Sequence, residues 1–112
     1  MEALHDQAVR DRLEASLGKW TLEKGQLVRK YRTGDWRRTS LLAGAIGFLA
    51  ESAYHHPDLE LSFPSLTVRL STHEAGGITE RDLELARRIE ELATWRPGPG
   101  SPFTGPPDGW IE

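Results

Sequence analysis

The chain has 112 residues, of which 38% are hydrophobic and 28% charged, with 14 Lys+Arg against 17 Asp+Glu and no cysteine. That length buries one core and not two, and the composition excludes the collagenous, coiled-coil and mostly disordered classes. Lack of cysteine excludes a disulfide framework, a thiolate nucleophile and a Cys-ligated metal, and a formal charge of -3 gives no general drive toward nucleic acid or anionic lipid.

In chain order, Val9, Leu13 and Leu17 recur at helical spacing with charges between them, which predicts a short amphipathic helix over 6–17, with Gly18 where a C-cap belongs. Trp20–Glu23 and Leu27–Tyr31 flank Lys24-Gly25, a turn signal between two β-prone runs, and predict a hairpin. Gly34-Asp35 breaks the chain before a helix from Trp36 to Tyr54. After Arg37 and Arg38 that helix carries no charge until Glu51, so most of its circumference is expected to be buried. Pro57 stops it and biases His56 away from helical geometry.

Leu59, Leu61 and Phe63, then Leu66, Val68 and Leu70, alternate with polar residues around Pro64-Ser65, which predicts a second hairpin. Gly76-Gly77 ends the next loop. Thr79-Glu80-Arg81-Asp82 reads as a capping box opening a third helix to about Thr94, with Leu83, Ala86, Ile89 and Ala93 as its apolar stripe. From Pro97 onward five of sixteen residues are Pro and four are Gly, so 97–112 reads as an extended tail beyond a domain of residues 1–96. Phe103, Trp110 and Ile111 are apolar anchors along it, and Trp110 is expected to hold it to the body or to a neighbouring subunit. The order α-ββ-α-ββ-α predicts an α+β fold, with three helices on one face of a four-stranded antiparallel sheet.

The first ten residues contain Glu2 and Asp6 and no apolar core, so they do not read as a signal peptide. The apolar run from Leu41 to Ala50 is too short for a membrane span, which needs about twenty residues. A cytoplasmic protein with no membrane and no nucleic-acid partner is expected. Eleven Arg against three Lys, with no Asn, fits a thermophile or a GC-rich genome.

Three of four histidines lie at the punctuated loops: His55 and His56 before Pro57, and His73, expected to end the fourth strand, before Gly76-Gly77. Consecutive side chains on a helix point about 100° apart, so a His pair at a helix end addresses two sides of one ligand. Glu51, one turn before His55, is placed to fix that imidazole's tautomer. These residues suggest a histidine acid/base site without an evident nucleophile. The bland readings are a surface role for the His pair and a purely capping role for Asp82. Further bland readings are a solvated edge for Arg29, Lys30, Arg32, Arg37 and Arg38, and core anchoring for Trp20 and Trp36. A metal site from His55, His73 and Glu51 matches no standard zinc spacing.

Glu51, three residues, His55-His56-Pro57, five residues, Phe63, nine residues, His73, eight residues and Asp82 together resemble the signature of the pterin-4a-carbinolamine dehydratases. Leu70-Ser71-Thr72-His73-Glu74, Gly77-Ile78-Thr79 and Trp20 agree with it, over roughly residues 20–93. Three places depart. Tyr31-Arg32-Thr33 stands for the usual aromatic-x-aromatic run, with Trp36 at the next aromatic position. Tyr54 stands where mammalian members have Asp, and the Pro/Gly tail beyond Arg96 is not part of the family pattern.

The resemblance implies dehydration of a 4a-hydroxy-tetrahydropterin to the quinonoid dihydropterin, which recycles the pterin after aromatic hydroxylation. It implies His55 and His73 as the acid/base pair and His56 as the residue that binds and orients the pterin. Ser71, Thr72 and Glu74 would line the ring, Glu51 would support His55, and Asp82 would be a second supporting residue. It implies no metal or organic cofactor, and a homodimer or homotetramer. The competing readings are a non-catalytic binding or assembly factor on the same fold, as some relatives are, and a metal-dependent hydrolase.

Overall fold

The computed structural model describes residues 1–112. Its elements are α1 (Asp6–Ser16), β1 (Thr21–Glu23), β2 (Gln26–Arg32), α2 (Trp36–Ala53), β3 (Asp58–Leu61), β4 (Ser65–Leu70), a 3-10 turn (His73–Ala75) and α3 (Glu80–Thr94). The sheet is antiparallel throughout and ordered β1-β2-β4-β3, so the α+β order expected from the sequence is the order found.

Period-2 patterning sorts the sheet into two faces. On the inner face Leu27 pairs with Leu70 and Tyr31 with Leu66, all four buried, while Lys30 pairs with Thr67 on the other face. Val9 and Leu13 of α1, Leu42 and Ile46 of α2, and Leu83, Ala86 and Ile89 of α3 complete one core against that inner face. Burying each large side chain contributes about 1.5–3 kcal/mol, so all three helices gather on the apolar side. The β1–β2 turn is Lys24-Gly25, with φ of 51° and 77°, as a two-residue type I′ hairpin requires.

Several expectations shift. The first helix ends at Ser16 with Leu17 as C-cap, before Gly18. Ser65 opens β4 instead of turning the hairpin, and Phe63 lies exposed in the loop that the Ser62 N–H closes onto the Ser65 carbonyl at 2.9 Å. The second helix buries only the stripe Thr39, Leu42, Ile46 and Ala50, while Leu41 and Phe48 remain exposed, Phe48 by 78%. A helix on the outside of a two-layer fold has one partner, so an all-apolar helix keeps a bare face. Trp36, at its first turn, is exposed instead of anchoring the core.

Arg29 is the opposite case: expected on a solvated edge, it is buried on the inner face. Its Nε donates to Glu90 Oε1 of α3 at 3.1 Å, and the same oxygen accepts from Trp20 Nε1 at 2.9 Å and Tyr31 Oη at 2.7 Å. The tail folds back onto this region. Because β1 pairs with β2 only as far as Val28, the β2 edge stands open at Arg32. There the Glu112 N–H donates to the Arg32 carbonyl at 2.8 Å, and the Arg32 N–H to the Glu112 carbonyl at 3.3 Å. Ile111 is buried in the core, Trp110 is half-buried beneath the Arg38 guanidinium at 5.5 Å, and Phe103 is exposed. The main anchor is therefore Ile111 and not Trp110. No helix is long and apolar enough to cross a membrane.

Candidate active site

The histidines sit where α2 ends. That end is not made by Pro57 alone. Tyr54 adopts the left-handed conformation (φ 52°, ψ 46°) as C-cap, its N–H reaching the Ala50 and Glu51 carbonyls, and the His55 N–H also reaches Ala50 at 3.1 Å. A left-handed residue turns the chain out of the helix, so His55 and His56 leave in different directions.

His55 turns inward. Its Nε2 lies 2.6 Å from Asp82 Oδ1 on α3. Asp82 is fully buried, and its other oxygen accepts from the Thr79 N–H at 2.9 Å and from Thr72 Oγ1 at 2.7 Å. Thr79 and Asp82 form the capping box expected from the sequence. The reading of Asp82 as a cap alone is incomplete, because only Oδ2 is used by the cap and Oδ1 is left for the imidazole. A carboxylate that already accepts from a backbone N–H and a hydroxyl can only accept from the ring. Nε2 therefore carries the proton of neutral His55, and Nδ1 is the free basic nitrogen.

His56 turns outward, and its Nε2 meets Glu51 Oε1 at 2.8 Å. This corrects the expected pairing. Glu51 supports His56, and the supporting carboxylate of His55 is Asp82. The left-handed turn at Tyr54 breaks the one-turn spacing on which a Glu51–His55 contact depends. The Tyr54 ring stands edge-on to His56, with centroids 5.2 Å apart and planes at 80°.

His73 does not end the fourth strand, as expected; it begins the 3-10 turn after it. The loop that carries it is cinched by Thr72, whose N–H donates to the Gly77 carbonyl at 2.8 Å and whose carbonyl accepts from Gly76 at 3.0 Å. Because Thr72 also bonds Asp82, the His73 loop and the His55 ring hang from one carboxylate. His73 and Glu74 are exposed, Ser71 is half-buried and Thr72 is buried. A cavity of about 840 Å³ opens between α2 and α3, lined by Leu49, Tyr54, His55, Arg81 and Leu85 among others; His56, His73, Ser71 and Glu74 lie outside that lining. No three His, Asp or Glu side chains converge as a metal-binding group.

The sequence places Asp82 among the supporting residues but shows neither that its partner is His55 nor that Thr72 ties the two loops together. The capping box was legible, but a free Oδ1 facing an imidazole twenty-seven residues earlier in the chain is a tertiary fact.

Residues 2–92 match the family model described as pterin 4 alpha carbinolamine dehydratase. A protein of Aquifex aeolicus, provisionally named a pterin-4-alpha-carbinolamine dehydratase, is 46% identical over 89 residues, covering 80% of this chain and 89% of that protein. A crystal structure from Brucella melitensis, described as a transcriptional coactivator/pterin dehydratase, superposes with a TM-score of 0.75 at 23% identity, covering 82% of this chain and 99% of that one. A pterin dehydratase-like protein identified as a RuBisCO assembly factor of the alpha-carboxysome superposes with a TM-score of 0.56 at 18% identity, covering 67% of this chain and 87% of that one. These two structural likenesses are likenesses of fold.

Proposed function

The chain belongs to the pterin-4-alpha-carbinolamine dehydratase family, and from that premise we propose that it removes water from a 4a-hydroxy-tetrahydropterin to give the quinonoid dihydropterin. The observation that carries this reading is the His55–Asp82 contact, tied through Thr72 to the loop bearing His73. Departure of the C4a hydroxyl as water needs a proton delivered to that oxygen and a ring N–H proton removed. The nitrogen lone pair then expels the leaving group, so the step balances without a metal or an organic cofactor. Two imidazoles whose ordinary pKa is about 6.5 can hold opposite protonation states near neutrality, which suits this push and pull. Asp82 keeps His55 in the Nε2–H tautomer, so His55 works through Nδ1, and His73 works from the opposite loop. His56, steadied by Glu51, binds and orients the ring, with Ser71, Thr72 and Glu74 along its edge.

The test is to follow the quinonoid product by absorbance in the presence of a chelator, for the wild-type chain and for His55→Ala and His73→Ala. Wild-type acceleration and a loss of about 10²–10⁴-fold in each variant are expected. Wild-type rates in both variants would remove the histidine mechanism. An inactive wild-type chain would leave the binding or assembly role as the function. We further infer that the bare stripe of Leu41 and Phe48 on α2 is covered by a second copy. Sedimentation showing a monomer at micromolar concentration would contradict this.

A further inference from the structure

Tyr54 is an odd residue for its place. It and Lys24 are the two non-glycine residues with positive φ, and Lys24 occupies a solvent turn. For a bulky aromatic, the left-handed region is a real outlier that glycine or asparagine would occupy at lower cost. The helix end does not ask for a tyrosine. It is closed by backbone groups, the N–H of Tyr54 and that of His55 reaching back to Ala50 and Glu51. Nor does the core ask for one, since the side chain is 79% exposed. Its hydroxyl makes no hydrogen bond, and its one aromatic neighbour is His56, at nearly a right angle. Nothing in the folding of the chain accounts for a large ring held here at a cost in strain.

The ring does have a position of consequence. It immediately precedes His55 and His56 in sequence, stands at nearly a right angle to His56, and lines the cavity that His55 also lines. A flat, exposed aromatic face beside His55 and His56 is a platform for a flat substrate. We propose that Tyr54 is a substrate-binding residue whose ring stacks on the planar heteroaromatic part of the substrate and presses His56 into position along its edge. This rests on the dehydratase reading and adds to it a residue that selects for a bicyclic, electron-rich ring. Strain at such a position persists only because the surrounding structure holds it, and such positions cluster at active sites and ligand clamps. Stability and binding therefore respond in opposite directions to replacement of this side chain, which no purely structural role would do.

The experiment compares Tyr54→Gly, Tyr54→Asn and Tyr54→Phe with the full wild-type chain. The readouts are melting temperature, the Kd for 7,8-dihydropterin (which lacks the 4a-hydroxyl and cannot react) and kcat against KM for dehydration. Glycine and asparagine should leave the melting temperature unchanged or raise it, because both accept the left-handed backbone. They should weaken dihydropterin binding by about 5- to 150-fold, as loss of one aromatic stacking platform does, and raise KM more than they lower kcat. Phenylalanine should bind as the wild type does. If one of the small variants fails to fold, the other carries the comparison. Equal binding by the wild type and the small variants overturns the stacking role and leaves the dehydratase reading standing. A wild-type chain that neither binds the dihydropterin nor dehydrates overturns both.

Discussion

Helix α3 carries two inward carboxylates, Asp82 near its start and Glu90 two turns on, and the chain uses them in opposite ways. Glu90 gathers Trp20 and Tyr31, which are neutral donors, and Arg29, which stays charged at every working pH. Around it the sheet, the helix and the tail close, since the Arg29 guanidinium also reaches the Glu112 carbonyl at 3.4 Å. Asp82 gathers a backbone N–H and a hydroxyl, and its remaining oxygen holds an imidazole that can gain and lose a proton. Near it lie Tyr54, His56, His73 and Glu74, all exposed. The same device, a carboxylate in a ring of donors, acts as a lock when its cation is permanent and as a chemical support when its partner is an imidazole beside an open mouth.

The comparison is sharpest where activity and stability are measured on the same variants. The largest effect is expected at the open end. His73→Ala should cost about 10²–10⁴ in dehydration rate, equivalent to about 2.7–5.5 kcal/mol of barrier, while leaving the melting temperature where it was, because the side chain is exposed and unbonded. Glu90→Ala should do the reverse. It strands a buried guanidinium, a phenol and an indole N–H, and removing one partner of a buried pair costs about 3–5 kcal/mol of stability. The rate per folded molecule should not change. A Glu90→Ala protein that is stable but inactive would erase the distinction between the two carboxylates.

The two regions were unequally readable from sequence. Element order, the Lys24-Gly25 hairpin and the Thr79–Asp82 cap were legible because each is a local pattern, of period or of turn chemistry, that the backbone obeys within a few residues. The histidine set was legible as spacing. What joins it was not. Asp82 to His55 and Glu90 to Arg29 are contacts between residues twenty-seven and sixty-one positions apart, and no local rule says which carboxylate a given cation meets. Arg29 in particular lies in a basic run that reads as surface. Only the strand register, which sets it opposite Val68, turns it inward. The Glu51 pairing failed for a local reason, the left-handed Tyr54, that the composition of the segment does not announce.

A smaller effect is expected from removing the tail. Truncation after Trp95 deletes Ile111 from the core and opens the β2 edge at Arg32. Burial of one such side chain contributes about 1.5–3 kcal/mol, partly offset by the backbone entropy of ordering the segment, which prolines reduce. A net loss of about 1–2 kcal/mol is expected by thermal melting, with the dehydration rate nearly unchanged because the tail binds around Glu90 and not around Asp82. Unaltered stability after truncation would show that Glu90 holds the sheet and helix without help from the tail.

The smallest effect separates the two carboxylates by pH. Burial pushes the Glu90 carboxyl upward, but the bonds from Arg29, Tyr31 and Trp20 together outweigh it and hold the group below its ordinary value. A depressed folded-state pKa contributes stability that is complete above the unfolded value, about 4.5, and is lost as pH falls through the folded value. Tyr31 is shifted the other way, raised chiefly by burial and then by its bond to Glu90. Its contribution is complete below about pH 10 and is lost above it. The lock should therefore give the stability profile an acid limb that Glu90→Gln flattens and an alkaline limb that Tyr31→Phe flattens. Glu80 and Glu84 are also lowered, by hydrogen bonds from Arg12 and Arg87 respectively, and add to the acid limb. Those pairs are exposed, and 1 M salt, with a Debye length of about 3 Å, should remove most of what they contribute. The part of the acid limb that survives salt is the part that should vanish in Glu90→Gln. If salt alone abolished the limb, the Glu90 ring would be no more protected from water than the surface pairs.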